Sequence, residues 1–372
     1  MIFALFKVLQ QKSLKKLWLN TLLLLNLSRI LAKDALCFPY YTHETMITNA
    51  NFADILPIVK YLRSVPFDVS RIKLYNAADL YEGYKPDLPQ SYDQCFDARI
   101  YRHYLSKGKQ TNDVRESMAR TLHDHSIYVA LGEFFRIHDY LHCVGVMGGH
   151  ALRRTDSMYH QIVHLCKRLT ELGFCMLSGG GPGAMEATHL GAWMAGFSDD
   201  DVEDALLTLS KAPSFTDAEW LSSAFEVIKK YPQTKYDSLG LPTWLYGHEP
   251  STPFATHIAK FFENSIRENN ILTLPFGGII YTPGSAGTMQ EVFQDAVQNH
   301  YLSYGFSSPM IFLGTKFWKE EIPLYPLLQK LMEEGKYKNL CLSITDDFED
   351  VMQKLLKFQE LVKTNPGDFS LL

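Results

Sequence analysis

Gly277-Gly-Ile-Ile-Tyr-Thr-Pro-Gly-Ser-Ala-Gly-Thr-Met-Gln-Glu291 decides the fold. Gly277 to Thr282 is a short apolar run with β-branched and aromatic residues, the pattern of a buried strand. Pro283-Gly284-Ser285-Ala286-Gly287 is a tight turn. From Thr288 the spacing is helical, with Met289, Val292, Phe293, Ala296 and Val297 on one face. A strand, a small-residue loop and a helix start make an anion site, because free backbone N–H groups and the helix dipole both face the loop. Glu291 lies one turn into the helix and has two readings. Thr288-x-x-Glu291 has the spacing of a capping box, and a carboxylate beside a bound phosphate has the placement of a catalytic group.

Upstream, a related texture begins at Leu141. Leu141-His-Cys-Val-Gly-Val-Met147 reads as a strand and Gly148-Gly149-His150 as a turn. Ser157–Leu172 is an amphipathic helix that Gly173 ends. Phe174-Cys-Met-Leu177 is the next strand, followed by Ser178-Gly179-Gly180-Gly181-Pro182-Gly183 and a helix of small residues, Ala184–Ala195. Alternating strands and helices predict parallel strands with right-handed crossovers. Residues 197–238 read as a helical insertion (Val202–Leu209, Glu219–Lys230). Leu239–Tyr246 resumes the sheet, and Gly247-His248-Glu249-Pro250 is a loop at a strand end, where open α/β sheets place ligands. Phe254–Asn269 has helical spacing, with Lys260, Asn264 and Arg267 on one face; a solvated charge near a helix C-terminus is the plain reading of Arg267. Pro309–Leu313 and Leu340–Ile344 are strands, and Leu324–Glu334 and Asp347–Val362 are helices. The expectation is an α/β, Rossmann-like doubly wound parallel sheet of about six strands over residues 141–372, preceded by a mainly helical region over 36–140.

That region carries no catalytic motif. Ala53–Arg63 reads as a helix after Pro57, Phe67–Tyr75 alternates like a strand, Tyr81–Tyr92 is a loop, and Asp113–Phe135 is one or two helices. The histidine pairs at 123/125, 138/142 and 160/164 lack a supporting motif, so no metal site is expected. Residues 1–35 carry six Lys/Arg against one Asp, with an apolar run from Leu17 to Leu27. That run is too short and too Asn-broken to span a membrane, and no small-x-small cleavage site follows. A helix packed on the body is favoured over membrane contact or export.

Composition excludes other classes. With 372 residues, 46% hydrophobic and 21% charged, the chain is long enough for a full core. A net charge of −5 argues against nucleic acid as a partner. Six scattered cysteines without a CxxC pair fit a reducing, cytoplasmic compartment. Gly179-x-Gly181-x-x-Ala184 formally matches a dinucleotide fingerprint, but Ser198-Asp-Asp-Asp201 opens a polar helix where the partner acid should end a strand. No Walker motif is present.

Together, Val146-Met-Gly-Gly149, Ser178-Gly-Gly-Gly-Pro-Gly-Ala-Met-Glu-Ala187 and Pro283-Gly-Ser-Ala-Gly-Thr-Met-Gln-Glu291 resemble the LOG family, once labelled "lysine decarboxylase-like", over about residues 141–362. The wording is closest to the longer bacterial members. The resemblance implies a Rossmann-like fold, a homodimer or higher homo-oligomer, no cofactor, and hydrolysis of a nucleoside 5′-monophosphate to base and ribose 5-phosphate. It implies that Gly284, Ser285, Gly287 and Thr288 hold the phosphate, with Gly148, Gly149, Gly179, Gly180, Gly181 and Gly183 around the ligand. It also implies that Glu291 and Arg267 are the catalytic pair. Ser285 and Gln290 depart from the family signature. Breaking C1′–N makes the ribose oxocarbenium-like, so a carboxylate under C1′ stabilises positive charge. The helix N-terminus is expected to keep Glu291 ionised, and Arg267 to anchor phosphate or to clamp Glu291. A nucleotide sensor without turnover is the alternative on the same residues, and a dinucleotide-dependent oxidoreductase a weaker one.

Overall fold

The computed structural model describes residues 52–364, in two compact units divided after Ser64. Residues 1–35, and with them the basic and apolar segment, lie outside the described residues. In the first unit the described element is helix α1 (Phe52–Leu62), which contains Pro57 rather than beginning after it.

The second unit begins with helices α2 (Ala77–Leu80), α3 (Phe96–Ser106) and α4 (Val114–Phe134). The α/β body then runs β1 (Cys143–Met147), α5 (Ser157–Glu171), β2 (Cys175–Ser178) and α6 (Ala184–Trp193). Helices α7 (Asp199–Leu209) and α8 (Trp220–Lys230) form the insertion. They lead to β3 (Ser238–Gly240), β4 (His257–Ile258) and α9 (Asn264–Thr273). The remainder is β5 (Ile279–Tyr281), α10 (Ala286–Tyr301), β6 (Pro309–Leu313), α11 (Leu324–Glu333), β7 (Cys341–Thr345) and α12 (Phe348–Thr364).

The seven strands form one all-parallel sheet in the order β4-β3-β2-β1-β5-β6-β7. Helices cover both faces, as a doubly wound sheet requires. Alternation along the strands divides the core. Val144, Val146, Met176, Ile280 and Ile311 join α5, α6, α7, α8 and α12. Met147, Ile279, Tyr281, Met310 and Phe312 join α9, α10 and α11. The small residues of α6 let it approach α5 closely: a Cβ on Gly191 would lie 2.4 Å from the Val163 carbonyl oxygen. Cys143, Cys166 and Cys175 are buried free thiols. Among the described residues no helix is long and apolar enough to cross a membrane.

Two local expectations are corrected. The helical pattern of Phe254–Asn269 is helical only from Asn264. Its first half is extended and adds a seventh strand at the sheet edge. Phe254, Ile258 and Phe261 have helical spacing and are all buried. Their stretch instead uses its N–H groups on neighbouring strand ends, Ala259 on the Gly240 carbonyl at 2.8 Å and Phe261 on the Pro242 carbonyl at 3.1 Å. A short, fully buried apolar run does not distinguish the two periods. Consequently Lys260 shares no helical face with Asn264 and Arg267. Phe67–Tyr75 is not a strand: only Tyr75 pairs, with Ile258, as an isolated bridge. Arg71 folds over the same segment and donates to the carbonyls of Lys73 and Leu74.

The helical region is bonded to the sheet through buried charges. Lys260 and Asp97 are each 1% exposed and lie 2.7 Å apart. Asp97 also accepts from the indole N–H of Trp244 at 2.9 Å, and Lys260 donates to Ser251 Oγ at 3.0 Å. Asp124 of α4 accepts the N–H groups of Phe262 and Glu263 just before α9. His123, singled out in the sequence, is buried and bonded to Asp124 and to the Tyr75 hydroxyl.

Removing one member of a buried ion pair leaves the other charge unpaired, which costs about 3–5 kcal/mol. Asp97→Ala should therefore lower the urea midpoint strongly. Asp97→Asn combined with Lys260→Met should recover most of the loss. Equal loss in the single and double variants would contradict this account.

Candidate active site

Strand order reverses at β1. The chain leaves β1 toward β2, while β5 lies on its other side, so the carboxyl ends of β1 and β5 open a crevice at a topological switch point. A cleft of about 390 Å³ lies there. Gly148, Gly149 and His150 line it from the β1 loop, and Ser285, Gly287, Thr288 and Glu291 from the loop and helix after β5. Arg267 and Glu268 of α9 line it too, with Met185, Tyr246 and Glu249. The two loops expected to share a ligand therefore converge. A larger cleft of about 720 Å³, walled by Tyr104, Arg120, Phe262 and Asn264, contains none of the motif residues. Volume is outweighed here by the chemistry and position of the smaller one.

The loops are joined through the backbone of one residue. The Gly149 N–H donates to the Pro283 carbonyl at 3.1 Å, and the Gly149 carbonyl accepts from the Ala184 N–H at 3.1 Å. Gly183 makes that approach possible: its φ is +71°, and a Cβ there would lie 2.4 Å from the Gly149 oxygen. The chain after this turn is held by Arg154, which is 1% exposed and grips Glu186 with two bonds of 3.0 and 2.6 Å. Tyr159 donates to the same carboxylate at 3.0 Å. Glu186 of the glycine motif is thus bound structurally, far from an unpaired acid.

The Gly179–Gly183 turn packs beside the cleft against Arg267 and Met185. Gly179, Gly180, Gly181 and Gly183 do not line the cleft, and neither does Gly284. A Cβ on Gly179 would stand 2.3 Å from an Arg267 terminal nitrogen, so this glycine admits the guanidinium instead of a phosphate. Arg267 Nε also donates to the Leu241 carbonyl at 2.9 Å. Arg267 is half-buried and fixed against two loops, so the reading as a free surface charge is set aside.

Helix α10 begins at Ser285, and no side chain caps it. Thr288 falls in its first turn, so the expected Thr288–Glu291 capping box does not form. A Cβ on Gly284 would lie 2.1 Å from Thr288 Oγ1, which shows the hydroxyl folded back over that glycine. Ser285, Ala286 and Gly287 are exposed at the cleft. The first turn therefore presents N–H groups and the positive end of the dipole to an incoming anion.

Glu291 is not held ionised. Burial pushes its carboxyl up to about 7; the Arg267 charge pulls it down and Glu268 pushes it up. Burial outweighs the helix dipole although Glu291, of intermediate exposure, still lines the cleft. No ion pair joins Arg267 to Glu291 among the described residues, so the expected bidentate clamp is absent. Glu268 instead accepts from Asn264 Nδ2 at 2.5 Å and Gln290 Nε2 at 3.2 Å. Gln290, the departure from the family signature, thus bridges α9 and α10. One turn beyond Glu291, buried Asp295 accepts from the Tyr281 hydroxyl at 2.7 Å, and burial pushes it to about 7 as well.

Glu268 and Tyr246 were not legible as site residues, since neither belongs to a motif. Glu249 and His150 lay in loops recognised as turns at strand ends. His150 Nε2 and His248 Nε2 each stand 3.9 Å from Glu249 Oε1.

The chain matches no protein-family model, and no curated protein matches it.

Asp295 and Glu291 both titrate higher in the fold than their ordinary values of 3.8 and 4.5. Their stabilising contribution is complete below those ordinary values and is lost as pH rises through about 7. Asp295→Asn should remove its share of that slope, gaining about 2–4 kcal/mol relative to the parent between about pH 4 and pH 8. Thermal midpoints across that range check it; parallel curves would refute it.

Proposed function

We propose that this protein hydrolyses the N-glycosidic bond of nucleoside 5′-monophosphates, giving a free base and ribose 5-phosphate. One observation carries the reading. An uncapped helix N-terminus, a cation and a carboxyl of raised pKa share one cleft at the switch point of a parallel sheet. The motif wording that resembles the LOG family supports the same reaction.

In this reading the phosphate sits on the N–H groups of Ser285–Thr288, with the Thr288 hydroxyl beside it. The ribose lies over Glu291. As C1′–N lengthens, positive charge develops on C1′ and O4′, and the Glu291 carboxylate stabilises it and accepts a proton from the attacking water. Arg267 offsets the like charges of Glu268, Glu291 and the phosphate, keeping Glu291 available as carboxylate near neutral pH. Met185 and the part-exposed ring of Tyr246 give the base an apolar surface. A dinucleotide role is not supported, because the Gly179–Gly183 turn is filled by Arg267 and Met185.

A sensor that binds nucleotide without turnover is the second reading. Gln290 favours it, since a neutral amide, bonded to Glu268 at 3.2 Å, stands where the family signature has a carboxylate.

Purified protein incubated with AMP, GMP, CMP, UMP and IMP should release base from at least one. Glu291→Gln should lower kcat by about a hundredfold or more with the thermal midpoint retained. The parent kcat/KM should rise with pH through about 7 as Glu291 ionises. Binding of nucleotide without base release, unchanged in Glu291→Gln, would favour the sensor.

A further inference from the structure

We propose that His150 is the acid that protonates the departing base; this rests on the hydrolase reading. Cleavage of C1′–N leaves an electron pair on a base nitrogen, and a neutral base needs a proton to leave at neutral pH. Among the groups lining the cleft, Arg267 does not release its proton. Glu268 is engaged as an acceptor by Asn264 and Gln290. Glu291 belongs to the phosphate-loop helix and lies with the sugar. His150 is the imidazole of the lining, and imidazole titrates in the working range.

Its position follows from the topology. The phosphate loop follows β5, on one side of β1, whereas Met185, Gly181 and Glu249 lie on the β2–β3 side. A nucleotide with its phosphate on α10 therefore extends its base across the end of β1, where His150 is rooted. The root is held, because the backbone N–H and carbonyl of the preceding Gly149 are bonded to Pro283 and Ala184. A Cβ on Gly183 would lie 2.6 Å from the His150 carbonyl oxygen. The side chain is 47% exposed into the cleft and points its Nε2 toward Glu249, 3.9 Å away, with Phe215 packed edge-on at 6.2 Å. His248 approaches the same Glu249 oxygen from its other side, also at 3.9 Å.

The step balances without a co-reactant. The C1′–N bond breaks with its pair moving to the base, and the Nε2 proton passes to a purine N7 or a pyrimidine O2. Water adds to C1′ and gives its proton to Glu291. Solvent then returns a proton to His150 and takes one from Glu291.

The test compares leaving groups. GMP needs a proton on its base, whereas N7-methylguanosine 5′-monophosphate carries a cationic base that leaves neutral. His150→Gln should lower kcat on GMP by about a hundredfold or more and on the methylated substrate by less than about threefold. It should also erase the alkaline limb of the kcat/KM profile on GMP. Around His150 the titrating and charged groups are Glu249, His248, Arg267, Glu268, Glu291 and Tyr246. Glu249→Gln, which removes the carboxylate that Nε2 faces, should lower kcat on GMP more than on the methylated substrate, a result available even if His150→Gln fails to fold. Equal losses on both substrates or no loss on GMP, in either variant, would overturn the assignment to His150 while leaving the hydrolase reading intact. Absence of base release by the parent from every nucleotide would overturn both.

Discussion

The backbone of Gly149 is the constraint on which the cleft depends. Its N–H reaches the loop after β5 and its carbonyl reaches the start of α6. Three strand ends are therefore locked at one point, and a ligand meets a formed wall instead of three independent loops. The glycines serve this closeness. Gly183 has the positive φ and the missing Cβ that let α6 start against Gly149, and Gly179 leaves room for the Arg267 guanidinium. Arg154, Glu186 and Tyr159 hold the next segment from below. A buried carboxylate with three donors around it costs little to bury and resists displacement.

The helices before the sheet act on the site indirectly. Asp124 of α4 takes the N–H groups at the entry to α9, and α9 carries Arg267 and Glu268. Asp97 pairs with Lys260 on the edge segment preceding that entry. The start of the helix that carries the guanidinium is thus fixed by residues well over a hundred positions away in the chain. Such buried polar bonds are few but directional, so they define where α9 begins more sharply than apolar packing does.

Electrostatics in the cleft is a balance rather than an accumulation of one sign. Glu249, Glu268 and Glu291 face Arg267, His150 and the positive end of α10. Burial raises Glu291 into the neutral range, where a small change in surroundings changes its charge. That is the range in which an acid–base group is most effective. The Asp295–Tyr281 pair behind it is buried at a cost to stability, a pattern common beside working sites.

Much of this was readable in the chain. The strand and helix periods over Cys143–Trp193 and Ile279–Thr364 set the parallel α/β architecture, because repeated apolar spacing is local and largely independent of context. The strand–loop–helix run ending at Glu291 was legible for the same local reason, and its loop lines the cleft. Tertiary structure decided the rest. Phe254–Phe261 is not helical and carries the edge strand His257–Ile258, because its N–H groups found open carbonyls at 240–242, a partner no local pattern reveals. Thr288 and Glu291 have capping-box spacing, but α10 starts at Ser285, which leaves Glu291 free to face the cleft. Its raised pKa, the engagement of Glu268 by Gln290, and the meeting of His150 with Glu249 depend on burial and on distances between residues remote in sequence. Periodicity sets what each segment forms, and only packing sets which side chains meet and how much water reaches them.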